Sequence, residues 1–102
     1  LVGGHLISAV IGVAAWQVLG FAPWFAASFA VATAIAAMHA TKTLHPPGGA
    51  TALIAVIGSE KVHNLGYLYV LFPVLTGVVI MLAVALVVNN IAGSRKYPEF
   101  WW

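Results

Sequence analysis

The sequence predicts an all-α integral membrane helical bundle of about four transmembrane segments. Three observations predict it. Hydrophobic residues make up 63% of the 102, charged residues only 6%, against roughly 25% charged in ordinary soluble domains. The apolar stretches are of membrane-crossing or half-crossing length, and Pro- and Gly-rich breakers divide them. Four Lys/Arg and two Asp/Glu cannot coat a water-exposed surface, so the bilayer is the solvent that fits. The net charge of +2 is small and scattered, which argues against a nucleic-acid partner, and the absence of cysteine removes thiolate metal sites and disulfides.

The elements follow in order. Segment A, Gly4 to Leu19, is apolar throughout and ends at the breaker "GFAP"; its sixteen residues reach about 24 Å as a helix. Segment B, Trp24 to Leu44, has twenty-one residues and reaches about 31 Å, enough to cross. Trp16 and Trp24 flank the turn between them, as interfacial indoles do. Segment C runs from the "HPPGG" break to Ile57, only half a crossing. "GSEKVHNLG", Gly58 to Gly66, is the one clearly polar loop. Segment D, Tyr67 to Asn90, has twenty-four residues and is long enough to span, with a kink expected at Pro73. The tail carries Arg95 and Lys96 beside Tyr97, Phe100, Trp101 and Trp102, an interfacial anchor.

Residues 1–102 therefore read as one transmembrane domain, with 91–102 as an interfacial tail. The chain opens on apolar "LVGGHLIS" without a charged leader or methionine, which reads as a start partway through a domain. Alternating crossings put Lys42, Arg95 and Lys96 on one side and Lys61 on the other, which favours a cytoplasmic C-terminus. Gly4, Ser8 and Gly12 in segment A, and Ser28, Ala32, Ala36 and Ala40 in segment B, recur every fourth residue. Such stripes allow close helix approach in lipid, and they predict a seam between A and B. "GGHLISAVIG" (3–12) is echoed by "GGATALIAVIG" (48–58), either a parallel internal repeat or a coincidence of biased composition.

The break itself needs a physical reason. Pro46 and Pro47 donate no backbone hydrogen bond and disfavour helix in the residue before them, so segment B should stop near Leu44 and C begin within Pro47 to Gly49. The first free N–H groups would then be those of Gly48, Gly49, Ala50 and Thr51. Free amides at a helix N-terminus form an anion site, and glycines let an anion approach the backbone. Nearby side chains agree in sign: Lys42 and His45 precede the break, Thr51 carries a hydroxyl, and His5 and Ser8 follow the echoing Gly3–Gly4. These residues are the candidate substrate-binding set, with Pro46 and Pro47 as the structural break. Lys42 reads equally well as a snorkelling cation, His39 as an interfacial or packed residue, and His63 as a solvated loop residue. Intramembrane histidines are functional candidates by default, which singles out His45 and His5. His39 and His45, six apart, match no usual helical ligand pair. Glu60 and Glu99 both lie in polar segments, so neither a metal site, a cofactor nor a catalytic constellation is expected.

"TLHPPGGATALIAVIG" (43–58) and "VGGHLISAVIGV" (2–13) together resemble the HPP family of integral membrane proteins, named for its His-Pro-Pro motif. The matching positions are Gly3, Gly4, His5 and His45 through Thr51. The resemblance implies a small protein of about four transmembrane helices in a bacterial inner membrane or plastid envelope. It also implies a part in nitrite transport. The family's Pro-Arg-Asn triplet and first apolar segment do not precede Leu1, so the chain reads either as a fragment or as a protein that completes its surface by homo-oligomerising. The leading functional expectation is a permease or channel for a small anion, nitrite by resemblance. The alternative is a non-transporting membrane module: an anchor, assembly subunit or sensor.

Overall fold

A computed structural model describes residues 1–100, and the aromatic pair Trp101–Trp102 of the expected anchor lies outside them. The order is α1 (Val2–Leu19), α2 (Pro23–Ala40), α3 (Pro47–Ile57), α4 (Glu60–Leu65), a kinked segment (Val70–Leu75) and α5 (Thr76–Ile91). Three stretches, Val2–Leu19, Pro23–Ala40 and Val70–Ile91, are long and apolar enough to cross a membrane, and α3 is a shorter apolar helix. The fold is thus the expected small helical membrane bundle.

Proline sets three of the boundaries. Pro23 and Pro47 each occupy the first helical position, where the missing N–H costs nothing and φ is already helical. Phe72, immediately before Pro73, leaves helical geometry at φ −130°, ψ 119°, in the extended range that residues before proline favour. The expected kink in segment D therefore sits at Phe72–Pro73. Helix α2 ends at Ala40, four residues short of Leu44. Two bonds close it, Thr43 N–H to the Met38 carbonyl (2.9 Å) and Lys42 N–H to that of His39 (3.2 Å), with Lys42 in the left-handed region at φ +56°. This pair of bonds is the Schellman arrangement, and a lysine fills the position usually given to glycine.

Helices α1 and α3 lie side by side and parallel, Gly4 level with Gly48 and Gly12 with Ala52 and Ala55. A Cβ on Gly12 would fall 2.7 Å from the Ala52 carbonyl oxygen and 2.7 Å from Ala55 Cβ. The Gly4–Ser8–Gly12 stripe therefore faces α3, with α2 reaching it through Met38; α1 and α2 do pack together, but α2 meets α1 through Ala26, Ala30 and Ala34, so the residues expected on the segment B side of the seam are corrected. Ser28, Ala32, Ala36 and Ala40 all lie on the exposed side of α2, while Ala26, Ala30, Ala34 and Met38 form its buried stripe. Both stripes have period four and small residues, so spacing could not tell which faced protein and which faced lipid.

The polar loop is also more ordered than expected. It contains α4, which His63 fastens to the rest of the fold. The imidazole stacks on Trp16 (centroids 3.7 Å apart, planes at 12°), and its Nε2 lies 2.8 Å from the Val56 carbonyl oxygen. A carbonyl only accepts, so Nε2 carries the hydrogen and satisfies a carbonyl in the last turn of α3. His63 is a half-buried clamp rather than a solvated loop residue.

Lys42 and Lys96 line one cavity of about 590 Å³ at the α1 N-terminal end, while Lys61 lies on α4, beside the opposite end of α1. Helix α5 lines the same cavity through Leu82 and continues nine residues further, to Ile91. The bundle is consequently elongated, 52 × 27 × 16 Å.

Candidate functional site

The break between α2 and α3 packs against the start of α1, and this juxtaposition builds a polar cluster inside an apolar bundle. Its floor depends on absent side chains. A Cβ on Gly4 would fall 2.8 Å from the Thr43 carbonyl oxygen and 2.9 Å from His45 Cβ. One on Gly48 would fall 3.0 Å from each of the Gly4 carbonyl oxygen, Met38 Sδ and Ser8 Oγ. Close helix approach of this kind is what small residues permit in lipid, and here it brings α1 polar groups onto the first turns of α3.

His5 is the centre of the cluster. It is only 7% exposed, and its Nδ1 shares a 2.7 Å hydrogen bond with Thr51 Oγ1. Thr51 is held in turn by Tyr69, whose hydroxyl donates to the Thr51 carbonyl at 2.9 Å. The His45 ring lies 5.0 Å from the His5 ring, tilted by 58°. Ser8 Oγ, fully buried, reaches Met38 Sδ at 3.7 Å. His5 Nε2 is buried and has no hydrogen-bond partner. An orphaned buried polar atom is costly enough to call for an explanation.

The candidate residues divide accordingly. The fold brings together His5, His45, Thr51, Ser8, Gly4 and Gly48. Gly3 is half-buried and faces the Thr43 side chain. Lys42 and Ala50 are exposed, and Gly49 is buried with only Val31 near its open side. The amides expected to be free are partly engaged: Gly48 N–H donates to the His45 carbonyl (2.8 Å) and Gly49 N–H to that of Pro46 (2.9 Å). The tight turn after the two prolines closes on itself, so side chains rather than the first glycine amides offer the open valence. His39 is exposed on the last turn of α2. Two residues escaped the sequence reading. Tyr69 was hidden at the head of an apolar stretch, and Met38 completes the Ala26–Ala30–Ala34 stripe, a regularity visible only once the buried face is known.

Three apolar spans around a polar, histidine-centred cluster at a helix break define a multi-pass membrane protein. The chain belongs to the HPP family: the family's transmembrane region matches residues 1–98. Two proteins of Dictyostelium discoideum, each named only as a transmembrane protein, are 47% and 45% identical to it over 105 aligned positions. Both alignments cover all of this chain but 33% and 36% of the relatives, so it spans about a third of their length. These relatives do not carry over the bacterial or plastid membrane that the family resemblance implied. No solved structure matches the chain significantly.

Proposed function

We propose that this domain is a permease or channel for a small anion, with nitrite the leading candidate. The observation that carries the reading is His5 Nε2, a buried donor-or-acceptor atom without a partner, beside His45 and a broken helix. Discontinuous helices at mid-membrane depth are where many transporters hold charged substrates, and intramembrane ionisable side chains are retained for function. A small, singly charged anion is an acceptor for a hydrogen on His5 Nε2, and membership of the HPP family supports nitrite by analogy. His5 and His45 bind, Thr51 orients His5, and Tyr69 holds Thr51 in place. Lys42, outside the cluster, supplies positive potential at its mouth.

The test is nitrite uptake into proteoliposomes at alkaline pH, where little nitrous acid exists to leak through lipid. The reading expects saturable uptake, reduced at least tenfold in His5→Gln. Folded protein that passes no more nitrite than empty vesicles contradicts it.

A second reading is a non-transporting membrane module: an anchor, assembly subunit or sensor. The exposed apolar residues Val84, Val87, Val88 and Ile91 on α5 favour it, since they extend beyond the packed bundle. It expects substitutions on that face to change oligomeric state, with none at His5 changing any flux.

A further inference from the structure

We propose that the groove between α1 and α2 is a sterol site, a slot that takes one flat, fused-ring lipid from the bilayer. The groove shares no lining residue with the His5 cluster, and its occupancy is independent of any anion.

The groove has a volume of about 420 Å³, and α1 lines it with Ala14, Ala15 and Val18, α2 with Phe25, Phe29 and Thr33. Ala15 is buried in one cluster with Ala26 and Ala30, so the floor is part of the packed core and is formed before any ligand arrives. The rim opens outward: Phe25 and Phe29 are 46% and 48% exposed. Both helices are apolar spans, so hydrocarbon lies outside the opening. The lining carries no charge and one hydroxyl, that of Thr33. The ligand class is therefore an apolar molecule that already resides in the membrane.

Shape and stiffness select among such molecules. Phe25 to Thr33 covers about 12 Å of helix, so 420 Å³ spreads over a cross-section of about 35 Å². That is too narrow for a helix of a second copy, about 10 Å across. One carbon layer is about 4 Å thick, and a slab of that thickness fills the slot if it is about 9 Å wide, a flat shape rather than a single-chain rod. The Phe25 and Phe29 rings lie 6.2 Å apart with planes at 29°, and together they offer apolar ring surface along one wall. A flexible acyl chain must give up rotational freedom to stay in a fixed groove, whereas fused rings have none to lose. The sterol hydroxyl stays at the α1–α2 turn, the end where the chain leaves the two spans.

The experiment places the protein in phosphatidylcholine vesicles with a diazirine-bearing cholesterol probe, which is activated by light and mapped by digestion. The expected adducts fall within residues 11–33 and are displaced by excess unlabelled cholesterol. Their yield drops roughly fivefold in Ala14→Leu, which fills the groove, and in Phe29→Ala, which removes a wall on the exposed surface without touching the core. Val87→Phe, on the exposed face of α5, leaves the yield unchanged. Labelling that spreads over α1, α2 and α5 in proportion to their exposure overturns the site, as does groove labelling that persists in both variants. A phospholipid probe with the diazirine on its acyl chain supplies the remaining arm. If it marks the same residues and cholesterol displaces it no better than phospholipid does, the groove takes ordinary acyl chains and the sterol assignment is overturned.

Discussion

Thr51 Oγ1 meets His5 Nδ1 at 2.7 Å across forty-six residues of sequence, and this bond orients the buried imidazole. Thr51→Val keeps the branched shape but removes the oxygen. It leaves both ring nitrogens of His5 without partners, which costs about 1–3 kcal/mol. The thermal midpoint in detergent should fall for Thr51→Val and stay near the parent for Thr51→Ser.

The adjacent glycines at the break separate packing from backbone freedom. At Gly48 an added methyl meets the Gly4 backbone, Met38 and Ser8 at 3.0 Å, whereas at Gly49 its nearest neighbour is Val31 at an ordinary 3.8 Å. Gly48→Ala should therefore cost about 1–3 kcal/mol through overpacking. Gly49→Ala should be neutral or stabilise by up to about 1 kcal/mol, by restricting the unfolded chain. Thermal unfolding of the two variants side by side checks the order.

Lys42 occupies a left-handed backbone position, φ +56°, that glycine adopts without strain. Lys42→Gly should raise stability by about 1 kcal/mol. If the lysine contributes positive potential at the mouth, the same variant should show a raised KM for nitrite at low salt, a difference that shrinks as salt screens it. A more stable protein with weaker uptake separates function from fold.

His63 clamps α4 between Trp16 and the end of α3. His63→Ala removes a hydrogen bond and a ring stack together worth about 1–2 kcal/mol. Amide exchange across Glu60–Leu65 should accelerate roughly tenfold, with little change in α2.

Much of this fold was legible because proline and hydropathy act locally. The start of α3 at Pro47, the kink before Pro73 and the three long apolar stretches each follow from residue chemistry within a turn or two. What was not legible depends on partners. The period-four stripe of Gly4, Ser8 and Gly12 announces a close helix contact without saying that α3 fills most of it and that α2 meets it through Met38. The amides of Gly48 and Gly49 looked free because nothing in a sequence reveals that the turn after Pro46 bonds them to His45 and Pro46. His63 read as solvated because its position depends on α4 folding back over Trp16. Tyr69 could not be tied to Thr51 before the last helix was placed. His5 and His45 stood out early as ionisable residues in apolar surroundings, but the unpartnered Nε2 is a property of the packed site alone.

The central claim is that His5 Nε2 takes its missing partner from a small anion. The most direct measurement is the ¹⁵N spectrum of histidine-labelled protein in lipid vesicles during titration with nitrite at constant pH. The account predicts a saturable shift of the His5 Nε2 signal, with the exposed His39 unchanged and His63 still bonded to the Val56 carbonyl. A His5 signal that stays in place at high nitrite, in folded protein, would contradict it.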